Sequence, residues 1–421
     1  MLDKKMVPEI RFKGLKEEWK EFKLGNIGTF NSNGVDKVYR EKDNVVHMVN
    51  YMDVYNKIAI TSNNIDSFMI TTANNSQLLK NNLIKGDILF TPSSETIDDI
   101  GHTFVVQETI PNFVYSYHLV RFRPNSEEFC ENFANYCLDQ KRLCAQYMLR
   151  AQGVQRFVLN REHFNSLSVI KPSLLEQKKI NDLLSSFDSY INSQEQKLKK
   201  LQSMKQSLLD KMFIKNNQHM PSVRFNSYYD NWYYVNIQEC SKVFIGLVTT
   251  MTTNYSKHGV LLIRNSDIKD GRFEFDENPI HLEQSFAMKN KSRMHMVGDV
   301  VTVHTGDVGT SAVVSEKEAK SIGFATIVTR PDKNKLDSSF LSVFLNTETH
   351  KKWAVQISTG DGRTNYNLGD YKLLNIPMTN LSEQQKIGQF FSNLDSLIRS
   401  QEQKLEKLNN IKQALLEKMF C

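Results

Sequence analysis

The stretch QEQKLKKLQSMKQSLLDKMF, Gln194 to Phe213, returns as QEQKLEKLNNIKQALLEKMF, Gln401 to Phe420, with 14 of 20 positions identical. Such self-similarity marks an internal repeat. Working outward, the repeat widens. VPEIRFKGLKEEW (Val7 to Trp19) reappears as MPSVRFNSYYDNW (Met220 to Trp232), an offset of 213. KGDILF from Lys85 matches VGDVVT from Val297 at offset 212, and RFRP ending at Pro124 matches VTRP ending at Pro331 at offset 207. That last offset holds through Gly153/Gly360 and Arg156/Arg363 to Phe213/Phe420. The chain is two copies of one unit, each a globular part followed by a helix.

The offset changes between Asp87 and Pro124, where the first copy reads TPSSETIDDIGHTFVVQETIPNFVYSYHLV and the second HTGDVGTSAVVSEKEAKSIGFATIV. The ends of each unit agree while the middles differ in residues and length. This is the signature of one scaffold carrying two different surfaces. Short β-branched runs such as GDILFT, GHTFVVQ, GVLLIRN and GDVVTVHT, bounded by Gly, Asn and Asp, predict strands. Ser126–Leu149 and Ser338–Ile357 carry apolar residues at helical spacing. Each globular part is therefore mixed α/β, and the chain as a whole α+β.

From Ser173 to Phe213 there is no Gly or Pro, and apolar residues alternate three and four apart. Ile180, Leu184, Phe187, Ile191, Leu198, Leu201 and Leu208 form a coiled-coil seam, matched by Ile387, Phe391, Leu394, Ile398, Leu405, Leu408 and Leu415. Both copies interrupt it with a glutamine (Gln194, Gln401) and a lysine (Lys205, Lys412). Polar residues in a seam set register and orientation. Near Lys205 the stripe is expected to slip onto Met204 rather than bury a charge. Helices of about 40 residues are about 60 Å long. Packed antiparallel about a pseudo-twofold axis, they would act as a ruler between two unlike readers. Half-sites on one face of B-DNA recur about every 34–36 Å. A scaffold whose globular parts bind protein fits the same pattern.

Composition sets bounds. The chain has 421 residues, 40% hydrophobic and 24% charged, with a net charge of +6 that permits a polyanionic partner without demanding one. No apolar run is long enough to span a bilayer, and MLDKKMVPEI lacks a signal-peptide core, so a cytoplasmic protein without membrane contact is expected. Cys130, Cys137 and Cys144, seven apart on an expected helix, read as a buried stripe rather than metal ligands. The sequence has no phosphate-cradling G-x-x-x-x-G-K-[ST] loop, no H-E-x-x-H, no paired prolines and no Gly-rich dinucleotide fingerprint. The acidic cluster ETIDDIGH, with Asp98, Asp99 and His102, reads as solvated surface. No catalytic residue, metal site or bound cofactor is expected.

The segments VPEIRFKGLKEEWKEFKLGNIG, KGDILF, EQKKI…EQKLKKLQSMKQSLLDKMF and EQQKI…EQKLEKLNNIKQALLEKMF resemble specificity subunits of bacterial type I restriction–modification systems, over essentially the whole chain. The second opening departs at Asn226 and Tyr228. The resemblance implies target recognition domains over residues 1–172 and 216–379, with conserved spacer helices over 173–215 and 380–421. It implies a double-stranded DNA target and two methyltransferase subunits using S-adenosylmethionine to methylate adenine. Two motor-nuclease subunits would use ATP and Mg, leaving this chain to supply the address.

Base-edge contacts specify a DNA sequence, whereas phosphate contacts position the protein. Arg reads guanine and Asn or Gln reads adenine, so readers are sought among polar loop residues that differ between the copies. Three loop sets qualify. One follows the Gly-Asp strand: Thr91, Ser93, Ser94 and Thr96, against His304, Thr305 and Asp307. Another holds Asn50 and Tyr51, against Arg264, Asn265 and Ser266. The third precedes the long helix: Arg150, Gln152, Gln155 and Arg156, against Arg363, Thr364, Asn365 and Asn367. Arg156 and Arg363 align between copies and suit a phosphate. Gln152 and Gln155, against Thr364, Asn365 and Asn367, differ and suit bases.

Overall fold

The computed structural model describes residues 6–130, 132–215, 218–249, 252–358 and 364–420. The chain divides into two compact units, Met1–Ser193 with Leu405–Cys421, and Gln194–Lys404. Each therefore takes one end of both long helices, Leu174–Lys211 and Leu381–Lys418.

Both units are built on the same two sheets. In the first, an antiparallel sheet runs in the order Gly28–Asn31, Val120–Pro124, Ile88–Phe90, Thr103–Val105. The second repeats it with Ser241–Ile245, Ile327–Pro331, Val300–Thr302, Ser311–Val313. Register follows the sequence offsets: Gly28 pairs with Pro124 and Ser241 with Pro331, shifts of 213 and 207. A second, mixed sheet, of three strands in the first unit and four in the second, pairs Asn44–Val49 in parallel with Phe113–Tyr115, and Val260–Ile263 in parallel with Ile322–Gly323.

The motifs shared by the copies are joints of this scaffold. Asp87 and Asp299, fully buried, are each gripped by an arginine from the neighbouring strand: Arg123 at 2.7 and 2.7 Å, Arg330 at 2.8 and 2.7 Å. The preceding Gly86 and Gly298 take φ near +92° and +91°, a conformation that favours glycine. At the head of each long helix a buried glutamate receives an arginine fork: Arg11 to Glu176, Arg224 to Glu383. The adjacent Gln177 accepts from Cys130 N–H and donates to the Pro172 and Glu128 carbonyls. Gln384 repeats all three contacts with Asp337, Thr379 and Lys335. These contacts pin each helix to its own globular part and satisfy polar groups that burial would otherwise penalise.

The far end of each helix closes the other copy's core. Trp19 meets Phe420 edge-on at 5.8 Å, and Trp232 meets Phe213 edge-on at 5.9 Å. In the first unit Ile180 and Leu184 share a core with Met419 and Phe420, while in the second Leu209 and Met212 share one with Ile387 and Phe391. Start lies against end in both, so the helices are antiparallel. All fourteen seam positions are buried or half-buried. Gln401 donates to the Gln194 carbonyl at 3.2 Å and to its side-chain oxygen at 3.0 Å, filling the apolar gap with a mutual contact.

Two expectations are corrected. The seam does not slip at Lys205: Met204 is exposed, and Lys205 points inward to Asp395 at 2.8 Å and Asp270 at 3.3 Å. Burial pushes the lysine pKa down, but those two carboxylates outweigh it and hold it above the ordinary value. Lys412 pairs with Asp188 in the first unit. The expected helices over 126–149 and 338–357 are each broken in two, as Phe133–Cys137 with Lys141–Arg150 and Ser338–Leu345 with Glu348–Ile357. In the second copy Asn346 bonds the Ser311 and Ser342 carbonyls and Thr347 caps the next helix, so side chains take over from the backbone ladder. The three cysteines thus share no single helix. Cys137 is buried in the core, with Cys130 and Cys144 packed against it.

Candidate nucleic-acid interface

In the first unit the three loop sets converge on Ser93. The hairpin of residues 91–102 folds so that Ser93–Ser94 pairs antiparallel with Phe157–Val158, joining the first set to the third. Arg156 Nε donates to Ser93 Oγ at 3.2 Å, and the Tyr51 hydroxyl donates to the Ser93 carbonyl at 2.8 Å, adding the second set. Asn50 sits at the start of the short helix Tyr51–Tyr55, with its N–H held by Asp53 at 2.7 Å. Burial pushes the Tyr51 pKa up, so the phenol stays a donor at neutral pH. Gly153 makes the last turn possible, since a Cβ there would sit 1.9 Å from the Arg156 carbonyl oxygen.

Not every candidate is presented outward. Thr91 is fully buried and its hydroxyl accepts from His102 N–H; Ser94 is buried and accepts from Thr96 N–H. Arg150 is held back by Ser166 Oγ and the Gln146 carbonyl. Thr96, Gln152, Gln155 and Arg156 are exposed. Asp99 of the acidic cluster accepts from His102 at 2.7 Å and lies 3.4 Å from the Tyr55 hydroxyl. Among the described residues no group of three His, Cys, Asp or Glu is placed to hold a metal ion.

The second unit assembles the same three sets with different chemistry. Asn265 Oδ1 accepts from His304 N–H at 2.8 Å, and Thr305 bridges to Asn365, its hydroxyl donating to Asn365 Oδ1 at 2.9 Å. His304 Nδ1 lies 2.7 Å from that hydroxyl. With the hydroxyl proton given to Asn365, Nδ1 carries the ring proton and Nε2 is left as an acceptor. Burial lowers the His304 pKa, which favours this neutral form. Arg264 is committed to Asp267 and Asp276 at 2.6 and 2.8 Å. The hydrogen bond to Asp267, then that to Asp276, holds its pKa above the ordinary value. It is a strut of its loop rather than an open fork. Asp307 accepts from Thr310 at 2.6 Å. Ser266, Thr364 and Asn367 are exposed; Arg363 lies outside the described residues.

The convergence matches what base-edge readers require: short polar side chains from several loops, fixed by one another on a rigid sheet. The family model for the type I restriction modification DNA specificity domain matches residues 16–203 and 229–410. The chain belongs to this family. Its two copies are thus two specificity domains, and DNA-sequence recognition is the family's role.

The relatives agree. The chain is 22% identical over 417 residues to the putative type I restriction enzyme MjaX specificity subunit of Methanocaldococcus jannaschii, covering 96% of this chain and 92% of that one. It is 28% identical over 169 residues to the EcoBI specificity subunit of Escherichia coli, covering 39% of this chain but only 35% of that one. The fold resembles the crystal structure of a type I restriction–modification S subunit from M. genitalium, with a TM-score of 0.60, 14% identity and 99% of both chains covered. A second solved structure, from work on assembly and conformational transition of the type I system, matches at a TM-score of 0.53 and 17% identity, over 96% of this chain and 97% of that one.

One charge relation at the first site was not visible in sequence. Lys37 and Arg156 lie near enough to His118 for their charges to help burial depress its pKa. Lys37 and His118 are 81 residues apart in the chain, so no spacing rule brings them together.

Proposed function

We propose that this chain is the specificity subunit of a type I restriction–modification complex, reading a bipartite, asymmetric duplex target with an unread gap. On this reading it directs adenine methylation or ATP-dependent cleavage by two methyltransferase and two motor-nuclease subunits. S-adenosylmethionine, ATP and Mg belong to those partners, and the work is cytoplasmic. One observation carries the reading: three loops that differ between the copies meet at one surface in each unit, on a scaffold whose joints are the same in both. Unlike reading loops on like scaffolds imply two unlike half-sites. The repeated helix, 38 residues in each copy, sets the gap.

The test is selection from a randomised duplex pool followed by footprinting. One bipartite site with an unprotected middle is expected, whereas no protection would favour a protein-binding scaffold. Lengthening both helices by a heptad should widen the gap and leave both half-sites unchanged. Methyl transfer from S-adenosylmethionine by the purified chain alone would refute its assignment as a non-catalytic subunit.

A further inference from the structure

In each unit the parallel strand of the mixed sheet ends in a turn outside the three loop sets. Counting back from Pro124 and Pro331 at the offset of 207, Tyr117 of the first turn aligns with Phe324 of the second. Both rings are exposed, at 50% and 37%. Their neighbours differ: Ser116 and His118 in one, Gly323 and Ala325 in the other.

Both turns are held rigidly. Ser116 and Tyr117 N–H donate to the Val49 and Val35 carbonyls at 2.9 and 3.0 Å. Phe324 and Ala325 N–H donate to those of Ile263 and Leu247 at 2.8 and 2.7 Å. A glycine lets the backbones approach in each case. A Cβ on Gly34 would lie 2.4 Å from the Ser116 carbonyl, and one on Gly246 2.2 Å from the Gly323 oxygen. The hydrogen-bond register differs by one residue between the turns, so the rings are reached by different backbone paths. In the second, Ala325 takes φ +47°, a strained conformation for a residue with a side chain.

The turns also adjoin the reading loops. His118 lies against Tyr117 with ring centres 3.9 Å apart and planes inclined at 37°, the charges of Lys37 and Arg156 reach it, and Arg156 in turn bonds Ser93. Asn265 Nδ2 donates to the Ala325 carbonyl at 3.2 Å while its Oδ1 holds His304. Two copies that share few residues in this region both present a partly exposed aromatic ring, on a hydrogen-bonded turn, next to the candidate readers.

We propose that this turn is a fourth DNA-contacting element in each unit, in which Tyr117 and Phe324 pack against the apolar face of a nucleotide, base or deoxyribose. The proposal rests on the DNA-reading function above. A rigid aromatic offers large contact area with little rotamer freedom to lose, and in the first unit the flanking cations suit the adjoining phosphates.

The full-length chain and the duplex recovered by selection provide the test. Tyr117→Ala and Phe324→Ala should each weaken binding by about tenfold or more, with the cooperative thermal transition retained because both rings are partly exposed. Tyr117→Phe should restore most of what alanine loses. In Phe324→Trp, emission quenched on adding duplex marks stacking on a base; weaker binding of Phe324→Ala without that quenching marks a sugar contact. Wild-type affinity in both alanine variants overturns the proposal while leaving the three-loop reading intact. If the wild-type chain binds no duplex, the DNA-reading function falls, and this element with it.

Discussion

The hairpin after the Gly-Asp strand spans residues 91–102 in the first unit and 303–310 in the second, twelve residues against eight. Gln177 and Gln384, in contrast, make the same three hydrogen bonds to residues exactly 207 apart. One region has kept its contacts atom for atom, and the other has kept only its place. The difference follows from burial. A buried carboxylate or amide must find its partners wherever it sits, so the glutamates, glutamines and Gly-Asp aspartates tolerate little change. A solvated loop has water as its default partner and can change length and chemistry without unfolding the sheet beneath it.

The comparison breaks most visibly at the crossed helix ends. Phe420→Ala removes a core ring from the first unit and Phe213→Ala one from the second, each at a cost of about 3–5 kcal/mol. Hydrogen exchange read by region should show Phe420→Ala loosening residues 20–193, although Phe420 belongs to the second copy in sequence. Loosening confined to the second unit would contradict the crossed closure.

A smaller effect separates the two cores by pH. His295 and His350 are buried in the second unit, and burial is the main cause that lowers each pKa to about 4. Among the described residues no histidine of the first unit is buried. Unfolding restores an ordinary pKa near 6.5, so the unfolded chain binds more protons below that value. The stability is intact above pH of about 6.5 and is lost as pH falls toward 4, by up to about 3 kcal/mol per histidine. Exchange protection should therefore fail first in the second unit on acidification. Equal loss in both units, or a His350→Gln chain with unchanged acid sensitivity, would count against this.

The smallest effect concerns the reading faces. Arg156→Ala should weaken binding severalfold on all duplexes alike and lower the salt slope by about one charge, as a phosphate contact does. Loss of preference at a single base position would move Arg156 from phosphate to base.

Much was legible in the sequence. The repeat, its offsets, the strands around the Gly-Asp motifs and the seam from Ile180 to Leu415 follow from period and local propensity, which act over neighbouring residues. The three loop sets were singled out the same way, because divergence between two copies in one chain is itself visible. Lys205 defeated that reading: its counter-charge, Asp395, lies 190 residues away, and a stripe of apolar residues says nothing about a distant carboxylate. The broken helix of the second copy escaped it for a related reason, since Asn346 bonds a strand carbonyl at Ser311.

Only the tertiary structure decided which copy's helix closes which core, which of the candidate loop residues face water, and that the charges of Lys37 and Arg156 reach His118. Periodicity is set by the geometry of a single helix or strand and can be read along the chain. Pairing of buried charges, and convergence of loops, depend on how separate elements pack, where free energy is shared among residues that no local pattern connects.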